Sequence, residues 1–301
     1  MITPPYLTPG DTIGLTAPAR FTLPEELLRA LEIIKEWGLQ IKIGKYLYNR
    51  YNQFAGTDDE RAGDFQEMLD NPEIKAILCV RGGYGSVRTL QGINFNKFCK
   101  NPKWIAGYSD ITVFHSYITR QLGIETLHSA MLFNFGKTDF DKESILMMKN
   151  FLFGKVTDYR FDKHHLNING MSEGILTGGN LSVLYSLRGT PADIEPEGKI
   201  LFIEDIDEYL YHIDRMMMNL KYGGKLKGLK GVIVGDMIDL KDNNISFGKN
   251  AYEIIADVLG DLDIPVCFGF TAGHDNKNYP LVMGRKIVLT VSDKCSIKFK
   301  N

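Results

Sequence analysis

Ser109 stands where a hydroxyl could be made into a nucleophile. The run Trp104-Ile105-Ala106 reads as a buried strand, Gly107-Tyr108-Ser109-Asp110 as the turn after it, and Ile111 onward as a helix. A side chain on such a strand-to-helix turn is lifted into solvent, and the free amides of the helix start point at whatever it attacks. The amide of Asp110 would be one donor to a developing oxyanion, and Gly82 or Gly83 would supply another from the loop Arg81-Gly82-Gly83-Tyr84-Gly85. Ile111 stands where a G-x-S-x-G elbow would have its second glycine. On spacing alone, Ser109 therefore also reads as a helix cap.

A nucleophilic hydroxyl needs a base, and the base needs an orienting acid. Among six histidines, His274 follows the predicted strand at 265–268 in the glycine-flanked run Gly269-Phe270-Thr271-Ala272-Gly273-His274. Glu204 follows the apolar residues at 200–203, at the exit of a buried strand where a carboxylate needs a partner to stay charged. Ser109, Glu204 and His274 thus supply nucleophile, acid and base, each just beyond a predicted strand. Asp205, Asp207 and Glu208 read as solvated groups or as caps of the next helix, whose Ile213, Met216, Met217 and Leu220 form a core or interface stripe.

The rival chemistries fit less well. Three glycines at one strand end allow either a close ligand approach or a tight turn, but the loop lacks the Gly-Lys-Ser/Thr ending of a phosphate loop and does not match G-x-G-x-x-G. His164-His165 has no acidic neighbours at metal-ligand spacing, and there is no HExxH, so neither a metal nor another cofactor is expected. His115, His128 and His212 read as packing or surface residues.

These candidates must be carried by something rigid. Short apolar runs alternate with amphipathic stretches, which predicts an α/β fold with a mainly parallel sheet under helices. Residues 12–16 read as the first strand, and Leu27, Leu28, Leu31 and Ile34 recur at helical spacing up to Gly38. Thr57-Asp58-Asp59-Glu60 has the spacing of a capping box for a helix through Phe65, Met68 and Leu69. Residues 76–80 are continuously apolar, as in a strand buried on both faces. Further strands are expected at 200–203, 231–234, 265–268 and 286–291. The polar stretch at 137–175 reads as the connection between a domain at 1–150, which carries the serine, and one at 175–301, which carries the acid and the histidine.

Composition narrows the class. The 301 residues hold 35 Lys plus Arg against 37 Asp plus Glu, a formal charge of −2, and no basic patch that would suit nucleic acid. No apolar run approaches the ~18 residues of a membrane span, and Met1-Ile2-Thr3-Pro4-Pro5 does not open a secretory signal, which places the chain in the cytoplasm and off the membrane. Cys79, Cys99, Cys267 and Cys295 show no paired spacing, and Cys79 and Cys267 read as buried thiols.

The same segments resemble a known family. Phe54-Ala55-Gly56-Thr57-Asp58-Asp59-Glu60-Arg61, Arg81-Gly82-Gly83-Tyr84-Gly85, Gly107-Tyr108-Ser109-Asp110-Ile111-Thr112, Gly178-Gly179-Asn180-Leu181, Glu204-Asp205 and Gly273-His274 are similar, in that order, to the LD-carboxypeptidases of the serine peptidase family that also contains the microcin C immunity peptidases. The resemblance implies a Rossmann-like N-terminal domain, a smaller C-terminal β/α domain, an active site in the cleft between them, and a homodimer. It implies a triad of Ser109, Glu204 and His274, with oxyanion amides at Asp110 and Gly83. The implied reaction releases a terminal D-residue, typically D-alanine, from the tetrapeptide of recycled cell-wall fragments. Arg81 and Tyr84 are the candidates to hold that muropeptide. A microcin-type peptidase acting on an adenylate is the alternative within the family, and a non-catalytic small-ligand binder the alternative outside it.

Overall fold

The computed structural model describes residues 1–300. Strands β1 (Thr12–Thr16), β2 (Gln40–Ile43), β3 (Ile74–Cys79), β4 (Trp104–Gly107) and β5 (Thr126–His128) run parallel in the order β5-β4-β3-β1-β2. Because side chains alternate along a strand, β3 serves two cores. Ala76 and Leu78 join Leu27, Ala30 and Ile34 of the helix Pro24–Glu36. Ile77 and Cys79 join Phe65, Met68 and Leu69 of the helix Asp58–Asp70 on the other face. The capping box forms as its spacing requires: Thr57 Oγ1 accepts from the Glu60 amide at 3.2 Å, and Glu60 accepts from the Thr57 amide at 2.8 Å.

The second sheet follows. Strands β6 (Tyr159–Asp162), β7 (Gly170–Asn180), β8 (Lys199–Ile206), β9 (Gly231–Ile238) and β10 (Val266–Phe268) precede β11 (Leu281–Met283), β12 (Lys286–Val291) and β13 (Lys294–Phe299). The order is β10-β9-β8-β7-β12-β13-β6, with β7 to β10 parallel and the remainder antiparallel. Ile213, Met216, Met217 and Leu220 of the helix Leu210–Tyr222 pack into its core with Leu201, Ile203, Val232 and Val234, so the methionine stripe is core. Cys79, Cys267 and Cys295 are buried and unpaired, and Cys99 is exposed.

The chain crosses back once. Strand β11 leaves the second sheet's sequence neighbourhood and pairs antiparallel with β5 at the edge of the first sheet. Just after it, Arg285 meets Glu125 with both side chains only 5% exposed, and its Nε donates to Glu125 Oε1 at 3.1 Å. The stretch at 137–175 is also more than a connection. It holds the helix Lys142–Leu152, which buries Met148, Phe151 and Leu152, together with β6 and the start of β7. Its polarity comes from position: β6 is an edge strand and the first half of β7 faces solvent, so few apolar residues are needed there. Among the described residues no helix is long and apolar enough to cross a membrane.

Candidate active site

The nucleophile candidate sits on a strained turn. After β4, Ser109 takes φ +61°, a left-handed conformation that costs a non-glycine residue about 1 kcal/mol or more. Ser109–Ile111 forms a 3₁₀ turn that leads into the helix Thr112–Tyr117. Gly107 makes the tight return possible, since a Cβ there would lie 2.8 Å from Ile111 Cγ1. The Asp110 carboxylate is buried and accepts from the Ser86 amide at 2.7 Å, tying the serine turn to the end of the glycine loop. Burial raises the Asp110 pKa, against the pull of its hydrogen bonds from Ser86. Gly82 lies directly against the serine, where a Cβ would be 3.2 Å from Ser109 Cβ. Gly83 has φ +103°, a conformation that calls for glycine.

The candidate acid and base come from the half of the chain that forms the second sheet. The β8–β9 register shifts between Ile203 and Asp205, a local bulge that leaves both Glu204 and Asp205 buried. His274 Nδ1 donates to Glu204 Oε2 at 2.7 Å, with the glutamate side chain 0% exposed and the imidazole 12%. A carboxylate only accepts, so this bond fixes the tautomer and leaves Nε2 for proton transfer. Gly273 permits the approach, because a Cβ there would meet Glu204 Oε2 at 3.1 Å and Asp236 Cβ at 3.0 Å. Burial alone would lower the His274 pKa, but the charge and hydrogen bond of Glu204, with Asp205 and Asp236 behind it, hold it above the ordinary 6.5.

A cleft of about 520 Å³ joins the two halves, with Arg20, Gly83 and Ser109 on one wall and Asn180, Asp207 and His274 on the other. The Tyr108 ring, next to the serine in the chain, packs 4.8 Å from the His274 ring. No hydrogen bond joins Ser109 to His274 among the described residues, a contact that commonly tightens only when substrate fills such a site. Carboxyl ends of parallel strands from both sheets meet here, and the first sheet contributes them beside its switch in strand order between β1 and β3.

Residues 13–129 match the family model described as the LD-carboxypeptidase N-terminal domain, and residues 173–289 match the one described as the LD-carboxypeptidase C-terminal domain. The chain belongs to the LD-carboxypeptidase family. Over 98% of its length it is 36% identical to a protein of Bacillus subtilis named "Probable murein peptide carboxypeptidase", covering 93% of that relative. It is 27% identical to the Escherichia coli "Microcin C7 self-immunity protein MccF" over 96% of this chain and 93% of the other. The crystal structure of muramoyltetrapeptide carboxypeptidase from Oxalobacter formigenes superposes with a TM-score of 0.88 at 28% identity, over 96% of this chain and 99% of that one.

In this LD-carboxypeptidase family member the other expected site residues are placed unevenly. Arg81 lines the cleft, but its Nη1 donates to Glu26 Oε1 and Oε2 at 2.8 and 3.0 Å. Tyr84 is not part of the cleft lining; its half-exposed ring sits 6.1 Å from that of Phe54. Asp205 is neither solvated nor a cap of the helix Leu210–Tyr222. It is 1% exposed and accepts from Asn180 Nδ2, the Ser182 amide and the Ile206 amide at 2.9, 2.8 and 2.9 Å. Burial and the nearby Glu204 charge push its pKa up to about 7. The bulge that turns it inward has no mark in the sequence.

Two residues went unseen in the sequence. Asp236 is pushed up to about 7 by burial, then by Asp275 and Glu204, and its Oδ2 has no hydrogen-bond partner. It follows the apolar run at 231–234 much as Glu204 follows the one at 200–203, so the rule that finds Glu204 would have found it. Arg20 carries no such signal, because Ala17-Pro18-Ala19 before it has no motif. Thr112 of the serine-bearing helix accepts from the Asn180 amide at 3.0 Å, which locks the second wall onto the first.

Proposed function

We propose that the protein is a serine LD-carboxypeptidase that removes the terminal D-amino acid, D-alanine, from murein tetrapeptide in the cytoplasm during cell-wall recycling. The observation that carries this is the buried Glu204–His274 hydrogen bond of 2.7 Å, which presents an oriented imidazole to the cleft wall opposite the strained Ser109 turn. His274 takes the Ser109 proton as the hydroxyl oxygen bonds to the carbonyl carbon of the L-residue. Glu204 steadies the imidazolium that results. The amides of Asp110 and Gly83 receive the oxyanion, an effect worth about 3 kcal/mol for each donor. Collapse breaks the carbon–nitrogen bond, and His274 returns the proton to the leaving D-amino acid. Water, deprotonated by the same imidazole, then cleaves the acyl-serine and restores the hydroxyl.

The family relation to MccF supports a second reading, hydrolysis of an adenylate conjugate. A nucleobase would need an open aromatic platform; both tryptophans are buried away from the cleft, and among the described residues its Tyr and Phe rings are Tyr108, 3% exposed and packed on His274, and Phe133, covered by the Arg81 guanidinium. The cell-wall peptide is therefore preferred. The test incubates the protein, with a chelator present, with muropeptides of three, four and five residues and follows mass. The tetrapeptide loses one residue, the pentapeptide is spared, Ser109→Ala abolishes the change, and the chelator alters nothing. Turnover of an aminoacyl adenylate analogue with no loss from the tetrapeptide would transfer the protein to the second reading.

A further inference from the structure

An enzyme that removes only a terminal residue must bind the free carboxylate that marks the end of the peptide. Arginine suits that task, because its planar fork meets a carboxylate with two parallel hydrogen bonds. Among the described residues, the side chains of fixed positive charge that line the cleft are Arg20 and Arg81. Arg81 is already engaged: Glu26 takes its Nη1, and its guanidinium lies 5.4 Å over the Phe133 ring. The same glutamate also receives the Leu23 amide and the Thr22 hydroxyl, at 2.8 and 2.9 Å, so this ion pair belongs to the start of the helix Pro24–Glu36.

Arg20 is set differently. Its backbone is pinned on two sides, with the amide donating to Gly82 O at 3.2 Å and a bridge pairing the residue with Phe54. Its stem lies on the glycine loop, where a Cβ on Gly83 would meet Arg20 Cβ at 3.0 Å and Cδ at 3.2 Å. The residue is exposed into the cleft, and among the described residues its guanidinium forms no ion pair. A charge held by a fixed backbone, in the same cleft as Ser109 and beside the loop proposed to bind the oxyanion, with no carboxylate of its own among the described residues, suits an anionic group of the substrate.

We propose that Arg20, rather than Arg81, binds the terminal carboxylate of the residue that leaves, and so makes the enzyme an exopeptidase. This rests on the LD-carboxypeptidase reading above, and the experiment separates the two. Wild type, Arg20→Ala, Arg20→Lys and Arg81→Ala are assayed on L-alanyl-γ-D-glutamyl-L-lysyl-D-alanine and on the same peptide with its C-terminus amidated. For Arg20→Ala, kcat/KM on the free acid falls roughly 10- to 100-fold, the scale of a lost charge-assisted hydrogen bond. The loss lies mainly in KM, the amide is cleaved at the wild-type rate, and the preference for the acid collapses. Arg20→Lys keeps part of that preference, and Arg81→Ala keeps it whole.

An Arg20→Ala protein that melts like wild type and retains the full preference overturns the proposal. Calorimetry with Ser109→Ala supplies a readout that needs no turnover. Affinity for the free acid over the amide that disappears when Arg20→Ala is added sustains the subsite even if wild type cleaves neither peptide, an outcome that would end the proposed activity alone. Binding that ignores Arg20, or no binding of the acid, ends the subsite.

Discussion

Replacing Gly82 by alanine adds one methyl group against the proposed nucleophile. The new carbon would stand 3.2 Å from Ser109 Cβ and 3.4 Å from Ser109 Oγ, with Met131 Cε 3.2 Å away. Carbon contacts settle at roughly 3.5–4.0 Å, so about half an ångström of movement has to come from somewhere. Gly82 is not among the glycines with positive φ, so its backbone accepts alanine. The serine has little room to yield: it is already at φ +61°, and Asp110 anchors the next residue to the Ser86 amide. Met131 is more pliable but is only 2% exposed. A misplacement of about 1 Å in a reacting group costs on the order of a hundredfold, so half of that with a crowded approach predicts a fall in kcat/KM of roughly 10- to 100-fold. Overpacking should cost about 1–3 kcal/mol, lowering Tm by several degrees without unfolding the protein. The assay pairs D-alanine release with the rate of Ser109 labelling by a fluorophosphonate, and the two should slow together. A folded Gly82→Ala protein with wild-type values of both would refute the placement of the glycine loop against the hydroxyl.

Three further outcomes follow from the geometry. The proposed mechanism needs a neutral His274 and its pKa is held above 6.5, so kcat/KM should rise with pH through a midpoint above that value; Glu204→Gln removes the main opposing charge to burial, moves the midpoint down and lowers the plateau by up to about 10⁴-fold. Arg285→Met strands Glu125 in a site where it is 5% exposed, which should cost about 3–5 kcal/mol in denaturant unfolding, much of it recovered by adding Glu125→Leu. Asp236 is pushed from 3.8 up to about 7, so the folded state holds its proton more tightly than the unfolded chain; the stability this gives is complete below 3.8 and is lost as pH rises through about 7. Tm should therefore decline between those limits, and Asp236→Asn should flatten the decline; an unchanged slope would contradict the burial of that carboxyl.

Much of the parallel framework was legible because its strands are buried on both faces and must be written in apolar letters. Residues 12–16 coincide with β1, and the other expected parallel strands fall within β3, β4, β8, β9 and β10, give or take a residue or two; the antiparallel β12 coincides with 286–291 through its alternating apolar residues instead. Strands at or near a sheet edge escape that logic: β2 and β6 are edges, β2 carrying Gln40 and Lys42, and β13 beside β6 needs only one apolar face. Nothing local announces β11, whose partner β5 lies far back in the chain. The site shows the same division. Ser109 follows β4, Glu204 ends the apolar run inside β8 and His274 lies in the loop after β10, and a polar residue that ends or follows an apolar run is visible in one dimension. The inward turn of Asp205 depends on a bulge, and the different settings of Arg20 and Arg81 depend on the pairing of Arg81 with Glu26 and the bridge of Arg20 to Phe54, which exist only once distant segments have met.

The crossing of β11 into the first sheet has a consequence for biosynthesis. As the polypeptide leaves the ribosome, the half bearing the serine emerges first, with one margin of its sheet bare until the segment at 281–283 arrives to cover it. The histidine appears only a few residues before that segment. A product that stopped short of residue 274 would carry the proposed nucleophile without its proposed base, so the proposed hydrolysis would have to wait for nearly the same stretch of chain that closes the first sheet.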